Sequence, residues 1–161
     1  MAFCTTRGRF AVGWVTGGNR RAFETMAATA PTPVGVLASV AGEPVGWCAC
    51  GPRSRYALDS GPQRPLLAGR QREDDAAVWL VPCLFVRDGH RGKGITYALV
   101  RAAVEVARAA GAVALEGWPT SDPDHDSGDA FLGRERVFEP LGFRAVGHPV
   151  PGRVIMRREL V

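Results

Sequence analysis

Two glycines spaced by a lysine and preceded by an arginine, in Arg91-Gly92-Lys93-Gly94-Ile95-Thr96, form the stretch best equipped for chemistry. Without side chains, the glycines let an anion approach the backbone closely. A helix starting at Ile95 leaves its first N–H groups without partners, and its dipole adds positive potential there. Arg91 and Lys93 add formal charge, and Lys93 is the only lysine in the chain. The pattern describes an anion site, best matched by a pyrophosphate. Its spacing fits neither the dinucleotide-binding GxGxxG nor the P-loop. A tight connection carrying charge for solubility is the alternative.

The elements on either side must position this turn. Before it, AVWLVPCLFV from Ala77 to Val86 is a short β-branched and aromatic run, which predicts a strand. Pro82 cannot donate to a ladder, so it marks an edge or a bulge. After the turn, Ile95, Ala98, Leu99, Ala102, Val106 and Ala109 share one helical face. Arg101, Glu105 and Arg108 share the other, and Gly111 supplies the stop.

With 161 residues, the chain suits one domain spanning residues 1–161 and can bury a substantial core. A net charge of +4 fits an anionic cofactor and is too small to argue for nucleic acid. Its arginines are dispersed, with no aromatic-interleaved basic patch. There is no membrane-spanning apolar run, and residues 1–10 do not resemble a signal peptide. Cys4, Cys48, Cys50 and Cys83 include no CxxC pair and no histidine at zinc spacing. The expectation is buried, reduced thiols in a cytoplasmic protein, without a metal.

In chain order, Phe10–Val15 predicts a weak first strand, and Asn19 caps a helix running to about Thr29 with Phe23, Met26 and Ala27 inward. Val34–Val40 and Val45–Cys50 predict a hairpin around Ala41-Gly42-Glu43-Pro44, with Trp47 in the core. The polar stretch 53–77 is a substrate lid or a solvated loop, with Arg53 and Tyr56 its residues of interest. Ala112–Leu115 is a strand ending at Glu116, Ala130–Leu141 a short helix, and Arg153–Leu160 a closing strand. The aspartates of 121–129 miss the glycine and glutamate of an EF-hand loop, so no calcium is expected there. His90 reads as exposed, and His125 and His148 lie in loop-like contexts.

The stretch from Val86 to Thr96 resembles motif A of the GNAT N-acyltransferases: a glutamine or arginine, two residues, glycine, one residue, then glycine or alanine. Arg91, Gly94 and Ile95 fall in place, and Thr96 departs at the last position. The resemblance extends in element order from Val34 to Leu160, and its specific motifs lie between Val78 and Gly111 and at Leu141–Phe143. It implies an α/β fold with a mixed, strongly bent sheet, helices on both faces and splayed central strands. It also implies acetyl-CoA as acyl donor. Its pyrophosphate would sit on Arg91, Gly92, Lys93, Gly94, Ile95 and Thr96, and its pantetheine arm on the backbone of Leu84, Phe85 and Val86.

The family's tyrosine, which protonates the departing thiolate, is replaced by Phe138, and no carboxylate lies between Ala76 and Val86. Glu116, beside the expected cleft, is then the candidate general base, taking the ammonium proton directly or through water. A salt bridge to an arginine is its other reading. The implied activity is transfer of an acetyl group to a primary amine of a small molecule or peptide, by direct attack. A coenzyme-binding module without catalysis is the alternative, and a homodimer is a family-level expectation.

Overall fold

The computed structural model describes residues 7–56, 64–67, 69–121 and 130–161. Six strands form one sheet in the order β1-β2-β3-β4-β6-β5. The hairpin forms as expected, from β1 (Gly35–Val40) and β2 (Glu43–Pro52). Only Ala41 and Gly42 connect the strands, both at positive φ (51° and 84°), so Glu43 and Pro44 already belong to β2. Such left-handed pairs match the twist of the flanking strands. Cys48 and Cys50 are both buried on one face. Trp47 is half-buried, with the Phe23 ring edge-on at 5.7 Å.

The long strand β3 (Val78–Val86) lies antiparallel to β2 and parallel to β4 (Ala114–Gly117). Ala49 faces Cys83 and Gly51 faces Leu80, so Cys50 alone opposes Val81 and Pro82. Of the edge and the bulge that Pro82 allowed, the structure has the bulge. One extra residue reverses side-chain alternation. Trp79 and Val81 before the bulge, and Leu84 and Val86 after it, consequently share the core beneath α4 (Ile95–Ala109). Pairing with β4 ends at Val81 and Gly117. Beyond that point, β3 pairs only with β2 among the described residues.

Helix α4 buries Leu99, Val100, Ala103, Val104 and Ala107. The expected stripe is rotated: Ile95, Ala102 and Val106 are half-buried, while Ala98 and Ala109 are exposed. Apolar residues surround most of this helix, so several stripes are nearly equivalent until the sheet selects one. Arg101, Glu105 and Arg108 are exposed as expected, with a Glu105–Arg108 pair at 2.9 Å. Gly111 ends the helix at φ 76°, donating its N–H to Arg108.

Three other expectations change. Phe10–Val15 is not a strand but part of α1 (Arg7–Thr16), which packs on α2 (Gly18–Thr29). A short apolar run has no periodicity that separates helix from strand. Asn19 lies inside α2, whose N-cap is Gly17; Phe23 and Met26 are half-buried and Ala27 is exposed. The single helix 130–141 is three short pieces: a 3-10 turn at Ala130–Leu132, α5 (Glu135–Phe138) and a 3-10 turn at Glu139–Leu141. Gly133 at φ 81° breaks the first from the second. The aspartates of 122–129, and His125, lie outside the described residues.

The remaining strands, β5 (Arg144–Gly147) and β6 (Ile155–Glu159), reach the sheet out of order, and β6 inserts beside β4. A second, smaller apolar cluster of Tyr56, Leu80, Trp118 and Leu67, the last from the one-turn helix α3 (Arg64–Leu67), lies apart from the main core. No helix among the described residues is long and apolar enough to cross a membrane.

Burial pushes the Cys50 thiol up from about 9 to about 11, partly opposed by Arg55. An unfolded thiol ionises near 8.5. From there to pH 11 the unfolded chain loses a proton that the folded chain keeps, so stability falls as pH rises. The urea midpoint of the wild type should therefore fall more steeply between pH 9 and 11 than that of Cys50→Ala.

Candidate active site

Beyond β3, the chain turns through Gly89, Gly92 and Gly94, all left-handed at φ 77°, 74° and 75°. Gly94 is the N-cap of α4 and no side chain caps the helix. The first closing bond runs from the Ala98 N–H to the Gly94 carbonyl at 3.1 Å. The N–H groups of Ile95, Thr96 and Tyr97 therefore have no acceptor within the helix. A Cβ on Gly92 or Gly94 would meet no atom within 4 Å, so the space above this backbone is open. Lys93 is exposed and has no ion-pair partner among the described residues. Arg91 folds back, donating from Nε to the Val86 carbonyl at 3.1 Å and pairing with Asp88 at 3.1 Å. Both members of that pair are exposed, so it holds Arg91 weakly. These donors and cations suit a pyrophosphate.

The open edge of β3 continues from this turn. The Arg87 N–H donates to Val45 on β2 at 2.9 Å, so the strand's alternation turns the Val86 and Leu84 backbones away from β2. Phe85 turns its backbone groups toward β2, and its ring is half exposed. Leu84 and Val86 thus offer backbone groups beside the gap where β4 has left. Across that gap the fully buried Phe138 ring lies against Gly117 and Gly133. Gly117 has to be glycine, because a Cβ there would collide with the Phe138 ring. Phe138 is itself held edge-on by Phe143 at 5.2 Å.

Glu116 lies within β4, not just past its end, one residue before the pairing stops. The Gly111 turn extends to Ala112, whose N–H donates to Ala107, and this delays the strand by two residues. Leu80 flanks Glu116 on one side and Arg157 of β6 on the other. Its carboxylate is buried and accepts from Arg157 Nη1 at 3.0 Å and from Arg53 Nη1 at 3.4 Å. The salt bridge considered for Glu116 is therefore present, with two arginines.

Arg53 is 3% exposed, buried far beyond what a solvated loop would require. Its Nε donates to Asp75 at 2.6 Å and its Nη2 to the Gln71 carbonyl at 2.7 Å. Arg70 Nε grips the same Asp75 at 2.9 Å. Arg157 Nε donates to Glu159 at 2.6 Å. That hydrogen bond, with a smaller contribution from Glu116, raises the Arg157 guanidinium above the ordinary arginine value and keeps it charged. Arg53, Arg70, Glu116 and Arg157 floor a cavity of about 500 Å³, which Leu66, Asp74, His148 and Ile155 help to wall.

The structure thus brings Arg91 through Thr96 together with the Leu84 and Val86 backbones along one edge, and places Glu116 near the point of divergence. Arg70, Asp75 and Arg157 were not singled out in the sequence. Arg70 and Asp75 meet Arg53 through the folding of the segment after β2, and Arg157 joins only because β6 lies beside β4. Among the described residues, no three histidine, cysteine or acidic side chains are grouped to hold a metal.

The sequence profile of the Acetyltransferase (GNAT) family matches residues 6–133, and the chain belongs to that family. Solved structures agree on the fold. The ribosomal-protein-alanine N-acetyltransferase of Brucella melitensis superposes with a TM-score of 0.61 at 18% identity, covering 89% of this chain and 78% of its own. The yncA protein of Salmonella typhimurium, solved with its cofactor acetyl-CoA, gives 0.61 at 16% identity over 89% and 73%. Ard1 of Thermoplasma volcanium gives 0.53 at 14% identity over 86% and 78%. No curated protein matches by sequence.

Aspartate tolerates a left-handed backbone better than most residues, so Gly94→Asp tests the turn without unfolding it. Calorimetry should show acetyl-CoA and desulfo-CoA both weakened by about tenfold or more, equivalent to about 1.4 kcal/mol. Gly117→Ala should instead cost about 1–3 kcal/mol of folding stability by overpacking against Phe138, read as a lowered urea midpoint.

Proposed function

We propose that the protein transfers an acetyl group from acetyl-CoA to a primary amine by direct attack, without a covalent enzyme intermediate. The observation that carries this reading is the open edge of β3 running straight into the uncapped, glycine-rich start of α4. Along that line, the N–H groups of Ile95, Thr96 and Tyr97, with Arg91 and Lys93, would hold the pyrophosphate. The Leu84 and Val86 backbones would pair with the pantetheine amides. Acetyl-CoA supplies an activated thioester carbon when bound.

Orientation along this edge is the chain's largest contribution to rate, since holding reactants in attack geometry removes an entropic barrier. A backbone N–H beside the divergence would polarise the carbonyl. The amine would approach from the cavity over Glu116. As its nitrogen bonds to carbon, its proton passes to Glu116 through water, and the carbon–sulfur bond breaks. Phe138 has no hydroxyl, so the departing thiolate takes its proton from solvent. The two arginines hold the Glu116 carboxylate at a fixed place, which a water relay requires.

Thiol release from acetyl-CoA in the presence of an amine panel tests the activity. Turnover is expected; coenzyme binding with no turnover on any amine would leave a binding module with the same fold. Glu116→Gln should lower kcat by about a hundredfold, as loss of a general base does, with the KM for acetyl-CoA unchanged. A fall of less than about threefold would reduce Glu116 to an ion-pair anchor.

A further inference from the structure

The strand at the outer edge of the sheet, β1, carries nothing that would keep another strand away. Its sequence, GVLASV, contains no charge and no proline. Proteins ordinarily blunt an exposed edge with such residues, with a bulge, or by keeping it very short. The irregularity of this hairpin lies on β2: Ala38 faces Gly46 and Ser39 faces Pro44, so Val45 is the extra residue and β1 stays regular. The opposite edge, β5, has four residues and begins with Arg144.

The direction of the free backbone groups follows from the pairing. The Cys50 N–H donates to the Val34 carbonyl at 3.3 Å, so alternation turns the Val34, Val36 and Ala38 backbones toward β2. Gly35, Leu37 and Ser39 turn theirs outward, and among the described residues no other strand meets them. Val36 and Ala38 pack on the main core, so Leu37 points to the other face, where it is 64% exposed. There it heads an apolar row across β1, β2 and β3. Leu37 faces Trp47, and Trp47 faces Phe85, whose ring is half exposed.

We propose that β1 pairs antiparallel with β1 of a second copy of the chain, on a two-fold axis at Leu37. Such a contact uses the same patch on both molecules, so a strand free of charge is complementary to itself. Pairing two β5 edges would instead bring two Arg144 side chains onto one short contact. With the axis at Leu37, its N–H and carbonyl exchange hydrogen bonds with those of its own copy, and Gly35 exchanges with Ser39. The two apolar rows then join at Leu37. The edge alone buries less than the roughly 1,000 Å² of a stable interface, so the dimer is reversible, with a Kd of about 1–100 µM.

Sedimentation equilibrium of the full chain across that concentration range tests the pairing without coenzyme, so its result is independent of the acetyl-transfer reading. The wild type should pass from monomer to dimer. Added salt should strengthen the association, because the contact is uncharged and each copy carries a net charge of +4. Leu37→Lys places two ammonium groups on the axis and should weaken dimerisation by about tenfold or more, with the melting curve of the monomer unchanged. Ala145→Lys, on β5, should leave dimerisation as it is. Mild oxidation should cross-link Leu37→Cys, whose Cα lies about 5.5 Å from its copy in this register. It should not cross-link Val40→Cys, about 20 Å from its copy at the rise of a strand.

A monomer throughout the range would overturn the proposal, whether or not an added extended peptide takes the edge. A dimer that salt dissociates, that Leu37→Lys spares or that Ala145→Lys breaks would also overturn it, by placing the contact elsewhere. Cross-linking through Val40→Cys in place of Leu37→Cys would overturn the two-fold register.

Discussion

Pairing between β3 and β4 stops at Val81 and Gly117, and the placement of every site group follows from that break. A parallel pair of central strands normally continues, because unpaired backbone groups in a protein interior are costly. Here the bulge at Val81 and Pro82 bends β3, while β4 passes through Trp118 and Pro119 to Thr120, which bridges to Arg134 and Arg153. The break leaves β3 with one free edge leading to the start of α4. The bulge has a second effect. By reversing alternation, it keeps Leu84 and Val86 packed beneath α4 while their backbones face the gap. The edge is open, yet the strand stays anchored.

On the other side of the divergence, a chain of buried charge ties the polar segment after β2 to the sheet. Arg53 reaches Asp75 and the Gln71 carbonyl at one end and Glu116 at the other. Such an arrangement adds little net stability over an apolar equivalent, because desolvation offsets much of the attraction. Its effect is geometric. It fixes guanidiniums against a cavity wall and makes Gln71 and Asp74 part of that wall.

Phe138 shows how a position can change its work while keeping its place. Without a hydroxyl it cannot deliver a proton, but its ring fills the space that Gly117 and Gly133 leave open. The gap beside β3 is consequently closed at one end by an aromatic wedge. Belonging to the GNAT family at under 20% identity to the structural neighbours described above leaves room for such exchanges.

The sequence alone determined what depends on neighbours along the chain. The glycine turn, the unpartnered start of α4, an edge or a bulge at Pro82 and the hairpin all follow from local residue types, and each was legible there. Tertiary structure decided the rest. The buried stripe of α4 was chosen by the sheet, because the helix itself offered several. The run at Phe10–Val15 became helix by packing on α2, not by pattern. Glu116 gained Arg157 only when β6, distant in sequence, inserted beside β4, and it gained Arg53 from the turn after β2. A carboxylate's partners are set by distances through space, and one-dimensional order carries no record of which strand will lie next to which.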